Sequence, residues 1–181
     1  MIRHNRVDGI FPASFKPSRM EIGRYPMAGG KVDPSRKTRN NAYFLYALEK
    51  TKLHWNGKGF TGKTDAIGAP LGWSIVADLK EKGVMVKEID ISEQTPGLLI
   101  NKRLDGFVCL ETVFDAYLKK NPRFQGTVAK IYPPIKEKPY YLMLSHEFVK
   151  AHPLLSEKIW NTIREIKHSD DFVALVSRYI H

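Results

Sequence analysis

Strands alternating with helices from residue 64 onward predict an α/β protein, with a mixed, mostly parallel sheet flanked by helices. Two observations carry that reading. Short apolar runs such as GFVCL (106–110) are bounded by turn residues. Between them lie amphipathic stretches closed by glycine, of which GWSIVADLKEKG (72–83) is the clearest. A third observation supports a folded core: hydrophobic residues make up 43% of the chain, too many for wholesale disorder.

The elements follow in order. VDGIFPA (7–13) reads as a short buried strand ending near a proline. Residues 14–40, rich in Pro, Gly, Arg and Ser, read as a long irregular segment. NAYFLYALEK (41–50) is an aromatic strand. TDAIGAP (64–70) is a strand, followed by the helix that Gly83 closes. VMVKEID (84–90) is a strand with apolar residues at 84 and 86. SEQTPGLLINKR (92–103) is a helix with Pro96 in its first turn, where a missing N–H costs nothing. GFVCL is a strand, and TVFDAYLKK (112–120) is a helix with Val113, Phe114 and Tyr117 on one side. TVAKIY (127–132) and PYYLMLS (139–145) are two further strands. The remainder is helical, with breaks near Pro153 and Ser169.

Composition narrows the function classes. Net charge is +10, which favours anionic partners in general. The positive residues are scattered, and the densest run, SRKTR (35–39), lacks interleaved aromatics, so a solvated basic surface is expected rather than a nucleic-acid interface. Cys109 is the single cysteine, which excludes an internal disulfide and a cysteine-built zinc site. No apolar run is long enough for a membrane span, and MIRHNRVDGIF does not read as a signal peptide. The six histidines show no i,i+3 or i,i+4 pair for a metal, so no metal and no cofactor are expected. Cys109, in an apolar strand, reads as a buried structural thiol.

GKGFTGKT (57–64) satisfies the P-loop pattern, in which backbone N–H groups and a lysine cradle phosphates. A P-loop must pass from a strand into a helix, because the helix N-terminus supplies the N–H groups. Here a strand follows Thr64, so the string reads as a turn entering a strand. FVCLE (107–111) resembles the acid-terminated strand that would accompany a P-loop, which keeps a nucleotide binder as a minor alternative.

RVDGIF (6–11) recurs as RLDGFV (103–108). Each reads as a helix end, a tight turn and a buried strand. The second copy closes a β-α-β-α unit, whereas the first has only five residues before it. Twin lobes, the first lacking its opening β-α-β-α, would account for the difference.

These residues resemble a known family. VDGIFPASFKPSR, YFLYAL, WNGK, IGAPLGWSIVADL, RLDGFVCLE and the final helical segment with Trp160 and Arg178-Tyr179 are similar, in order and spacing, to the type 2 periplasmic solute-binding proteins. The likeness is to the amino-acid-binding (family 3) kind that serves ABC importers. It implies two α/β lobes joined by crossover strands, with ligand held between them. Residues 1–50 would be a remnant of lobe 1 with a crossover, 51–138 lobe 2, and 139–181 the return crossover with helices packing on lobe 1. It implies a periplasmic location and an N-terminal truncation.

Carried over by position, Arg19 matches an arginine that clamps a ligand carboxylate, a task suited to a guanidinium with parallel N–H donors. Ser14 matches a position that meets the same ligand. Gly72, Trp73 and Ser74 match a small or hydroxylic run at a helix start, where free N–H groups hold an anion. Read from the residues alone, Arg19 is equally a surface arginine and Ser74 equally a helix cap. The position of an acid that meets a ligand ammonium is occupied by Leu110, with Glu111 beside it. Either Glu111 takes over that role, or the ligand is not an ordinary α-amino acid. Trp73, Tyr43, Tyr46 and Tyr140 serve a cleft or core packing equally well.

The resemblance implies a binding protein and not an enzyme, with no catalytic residues; a lyase-like activity is the minor exception within the fold. The implied partners are an amino acid or small organic anion and an ABC permease, with no nucleic acid. The alternative is a nonfunctional or partner-dependent fragment.

Overall fold

The computed structural model describes residues 7–62 and 66–178. Its contacts divide the chain into two compact units, one of residues 1–40 and 138–181, the other of residues 41–137. The first unit is built from two separate stretches of chain, and the second is continuous.

In the second unit, β4 (Arg39–Leu48), which opens in the first unit, runs antiparallel to β9 (Gly106–Leu110), with Tyr43 opposite Leu110 and Tyr46 opposite Phe107. β7 (Ile67–Pro70) lies parallel to β9 on one side and to β8 (Val86–Ile89) on the other. The sheet is therefore mixed. All four residues of β7 and all five of β9 are buried, as expected of parallel strands covered on both faces. α1 (Ser74–Glu81), α2 (Thr95–Ile100) and α3 (Glu111–Lys120) supply the crossovers. Pro96 does sit in the first turn of α2. Gly83, at φ +76°, follows α1 in the left-handed region that glycine takes without strain. Phe44, Tyr46, Leu99, Leu104, Phe107, Cys109, Phe114 and Val128 form one buried cluster.

Glycine opens both copies of the repeated sequence. Gly106 is the first residue of β9, and Gly9 is the first of β1 (Gly9–Ser14). A Cβ at Gly106 would lie 2.7 Å from Leu45 Cδ1 and 2.8 Å from Leu53 Cδ2; one at Gly9 would lie 2.9 Å from the Met143 carbonyl oxygen. Arg6 lies outside the described residues.

The first unit pairs β1 antiparallel with the end of β10 (Val128–Leu144), from Gly9 opposite Leu144 to Ser14 opposite Tyr140, with a bulge between Ile10 and Ala13. Ala13, Tyr25, Tyr141 and Met143 are its buried cluster. The helices α4 (His146–Ala151), α5 (Pro153–Ile166) and α6 (Asp170–Ser177) follow, with the breaks expected near Pro153 and Ser169. Ser145 caps α4 by accepting a hydrogen bond from the Phe148 amide at 3.0 Å. Trp160 of α5 donates its indole N–H to the Leu142 carbonyl at 2.9 Å, fixing that helix to β10.

Three expectations need correction. β1 is not a buried strand ending at the proline: it continues through Pro12 to Ser14, and Phe11 and Pro12 are exposed. TVAKIY and PYYLMLS are not separate strands but parts of β10, a single strand of 17 residues that runs through Pro133 and Pro134. β1 pairs only with Tyr140–Leu144, so at the prolines one side of β10 has no β1 partner to lose an N–H donor. The segment 14–40 is not wholly irregular. It holds a 3₁₀ turn at Pro17–Glu21, a small hairpin of β2 (Met27–Ala28) and β3 (Lys31–Val32), and a second 3₁₀ turn at Pro34–Arg36. Each 3₁₀ turn begins with proline, whose fixed φ favours a helical first turn.

Gly57–Gly62 belong to a second hairpin, of β5 (His54–Trp55) and β6 (Phe60–Thr61). Asn56 Oδ1 accepts from the Lys58 and Gly59 amides, both at 2.9 Å, and closes its turn. Lys63 and Thr64 lie outside the described residues. The next element, β7, is a strand.

Candidate functional site

Ser14 ends β1 and is 2% exposed. Pro17 then starts a 3₁₀ turn whose third residue is Arg19. That turn brings the guanidinium back over the strand end. Arg19 Nη1 donates to the Ser14 carbonyl at 2.9 Å and to Ser14 Oγ at 3.0 Å. The hydroxyl of Tyr25 donates to the same carbonyl at 2.8 Å. Tyr25 is buried edge-on to Phe15 and Tyr141, and burial raises its pKa against the lowering effect of Arg19. Arg19 is thus a positioned arginine, half-buried and held to Ser14 through one nitrogen. The Arg19 side chain is also hydrogen-bonded to Tyr25.

In the second unit, β7 ends at Pro70. Gly72 follows at φ +71°, and its amide donates to Glu88 Oε2 at 3.2 Å. Trp73, in extended backbone, is the N-cap of α1, and Ser74 is its first helical residue. Ser74 is therefore not the helix cap. It is 5% exposed, inside the first turn, where backbone N–H groups lack carbonyl partners within the helix. Trp73 meets Tyr43 edge-on at 6.5 Å, and Tyr43 is the cross-strand partner of Leu110. The ends of β7 and β9 are thereby linked through two aromatic rings.

β9 passes directly into α3, so Glu111 follows the strand as the first helical residue. Its Oε1 accepts from Lys130 Nζ at 2.8 Å. Lys130 also donates to Asp115 Oδ2 at 2.5 Å, and Tyr46 donates its hydroxyl to Asp115 Oδ1 at 2.6 Å. The ammonium stands 5.2 Å from the Phe44 ring centre and 6.0 Å from that of Tyr132, within cation–π range. Burial alone would lower the pKa of Lys130, but hydrogen bonds to Asp115 and Glu111 push it up to about 12. Burial, then the bond to Asp115, holds the Tyr46 phenol far above its usual range.

The structure brings Ser14 and Arg19 into direct contact in the first unit. In the second it places Gly72, Trp73 and Ser74 at the end of β7 and Glu111 at the end of the parallel β9. The C-terminal ends of parallel strands are where open α/β sheets bind ligands. Lys130, Asp115 and Tyr25 escaped the sequence reading, which named Tyr46 only as an aromatic of a cleft or of the core. One signal was available for Asp115: Glu111 and Asp115 stand four apart, on one face of the helix. Among the described residues, no three His, Cys, Asp or Glu side chains gather as a metal site, and no helix is long and apolar enough to cross a membrane.

No family model and no curated protein matches the sequence. Solved structures do. An ancestral arginine-binding protein bound to glutamine superposes with a TM-score of 0.74 at 17% identity, over 99% of this chain and 73% of that one. The fold is that of the type 2 periplasmic binding proteins. A putative binding component of an ABC transporter from Wolinella succinogenes, complexed with lysine, is another protein with this fold. It gives 0.72 at 14% identity, over 98% of this chain and 71% of that one. The GluR0 ligand-binding core from Nostoc punctiforme, in complex with L-glutamate, gives 0.61 at 16% identity, over 90% and 73%. In the periplasmic-binding-protein fold of this chain, the parallel strands β7 and β9 run the same way, so the starts of α1 and α3 lie at one end of the sheet.

Proposed function

We propose that the chain is the solute-binding component of an ABC-type importer and captures a small carboxylate-bearing or amino-acid-like ligand. It works by binding and not by catalysis. The observation that carries this reading is Arg19, turned back onto Ser14 and Tyr25 at the end of β1. In the second unit the resemblance points to Gly72, Trp73 and Ser74 at the start of α1 as ligand contacts. Structural neighbours bound to glutamine, lysine and glutamate support the ligand class. A periplasmic location and an ABC permease as partner follow from the same likeness.

The test is a thermal-shift screen of amino acids and small organic carboxylates, then calorimetric titration of each hit. Arg19→Ala should weaken a carboxylate hit by roughly 2–5 kcal/mol, since a charge-assisted contact is lost and the ligand charge is left unpaired. Ser74→Ala should cost less, because the backbone N–H groups remain. A hit whose affinity Arg19→Ala leaves unchanged removes Arg19 from the site.

One observation favours a second reading, a chain that acts only with a protein partner. Leu154, Leu155 and Ile166 of α5 and Val173 and Leu175 of α6 are exposed apolar residues. Light scattering that shows a monomer at micromolar concentration, together with ligand binding by that monomer, would remove this reading.

A further inference from the structure

We propose that the second unit carries a separate binding site for a small anion with an apolar body, such as a medium-chain carboxylate, in a cavity between the end of β4 and the end of α2. The inference goes beyond the solute-binding reading and does not depend on it.

The cavity has a volume of about 350 Å³, a size suited to a small molecule. Its apolar lining is Leu48, Leu99 and Leu104, the last two buried. Its polar lining is Lys50, Thr51, Lys102 and Asp105. All of these residues belong to the second unit. In the antiparallel pair of β4 and β9, Leu48 lies beyond Tyr46 and Phe107, at the end where β9 begins. Leu104 and Asp105 lead into that strand. The cavity is therefore at the opposite end of β9 from Glu111 and α3.

The groups around it favour an anion. Among the described residues, neither Lys50 nor Lys102 has a side-chain hydrogen bond or ion pair. Asp105 is the one acid of the lining, and its Oδ2 accepts from the Ala66 amide at 3.0 Å. Two unpaired ammonium groups thus stand against one carboxylate that is already engaged. Thr51 Oγ1 accepts from the Leu53 amide at 3.1 Å, which leaves its O–H to donate. The carbonyls that end α2 would repel an anion, but they are covered by amides. The Leu98 oxygen accepts from Arg103 and Leu104, and the Leu99 oxygen from Lys102.

Lys102 carries a second, independent mark. Helices α1 and α2 end alike. The Val84 amide donates to the Leu79 carbonyl at 3.1 Å and the Arg103 amide to the Leu98 carbonyl at 2.9 Å, each bond closing over a left-handed residue. In α1 that residue is Gly83, at φ +76°. In α2 it is Lys102, at φ 54°, the one non-glycine residue with positive φ among the described residues. Glycine takes this conformation without the steric cost that a side chain brings. The sequence keeps a lysine beside the cavity where the same turn elsewhere uses glycine, and a conformational cost retained at such a place points to binding. The leucines would take the apolar body of the ligand, and Lys50, Lys102 and Thr51 its charged head.

The test titrates octanoate calorimetrically against the full chain carrying Arg19→Ala, so that the contact proposed in the first unit does not compete. Octanoate should bind at one site. Acetate, which lacks the body, and 1-octanol, which lacks the charge, should bind at least about tenfold more weakly, a difference of about 1.4 kcal/mol. Lys50→Gln and Lys102→Gly should each weaken octanoate about three- to fivefold, the size of an exposed ion pair, and Lys102→Arg should keep the affinity. Lys102→Gly should at the same time raise the urea midpoint, since glycine relieves the left-handed turn. A raised midpoint with unchanged affinity would make Lys102 only a tolerated helix end, and overturns the inference. So does octanoate that fails to bind, or 1-octanol that binds as tightly. None of these outcomes touches the Arg19 test of the solute-binding reading. Should Arg19→Ala fail to fold, amide chemical shifts of the wild type decide. Octanoate must then move the Lys50, Thr51, Lys102 and Leu104 amides, and shifts confined to other residues overturn the site.

Discussion

Arg19 is tied to Ser14 twice, through one guanidinium nitrogen that meets both the backbone carbonyl and the side-chain oxygen of the same residue. The contact fixes the turn at Pro17–Glu21 against the end of β1. It has a stability consequence separate from ligand binding. Arg19→Ala should destabilise the fold by about 1–3 kcal/mol, the range for hydrogen bonds made by a charged donor. Ser14→Ala should cost about 1 kcal/mol, because the carbonyl acceptor survives. Urea unfolding of both single variants and the double variant gives the coupling between them. Strict additivity would mean that the contact contributes nothing.

Gly106 is a packing requirement. A methyl group there would press into Leu45 and Leu53 at the distances given above, both buried. Gly106→Ala should cost roughly 1–3 kcal/mol, as overpacking of a filled core does. Gly59→Ala, where a Cβ meets nothing within 4 Å, is the control and should be close to neutral. The comparison is read from their urea midpoints.

Burial pushes the pKa of the Cys109 thiol up to about 12, well above the ordinary thiol range. The folded chain therefore keeps its proton where the unfolded chain releases it. Stability from this group is intact below about pH 9 and is lost as pH rises toward 12. Tyr46, also held protonated by burial and Asp115, acts in the same direction above the ordinary tyrosine range. Unfolding midpoints should fall steadily above pH 9, and Cys109→Ser should flatten part of that decline. At pH 8, a thiol reagent should label Cys109 only in denaturant. Rapid labelling of the folded protein would contradict its burial.

The sequence GKGFTGKT should not bind a nucleotide, since Gly57–Gly62 lie in a hairpin and the next element is a strand. Titration with Mg·ATP should give no heat beyond dilution. Micromolar binding abolished by Lys63→Ala would restore the P-loop.

The fold was legible because its signals are local. Glycine after α1, proline in the first turn of α2 and the unbroken apolar run of β9 each declare an element within a few residues. The unity of β10 was hidden. Pro133 and Pro134 look like a stop when read alone, and only the short reach of β1 explains why they are tolerated. Ser14 and Arg19 were singled out by the family resemblance alone; that a proline turn brings the two into contact is a finding of the structure. Lys130 was not singled out at all. Its partners Glu111, Asp115 and Phe44 come from other elements, and in sequence it is one lysine in an alternating strand. Nothing local distinguishes a lysine that holds two carboxylates from one that faces water.

The split of the first unit into two stretches of chain has a consequence for the order of events at the ribosome. Gly9 finds this strand partner only when Leu144 has been made, so the pairing waits until the whole of the second unit has been translated. The second unit, continuous from 41 to 137, meets no such delay and can complete its core while the rest is still being translated. Once it has folded, it shortens the effective loop that separates β1 from the end of β10, and so lowers the entropy that their pairing must overcome. The continuous unit is thus the first of the two that the ribosome can complete.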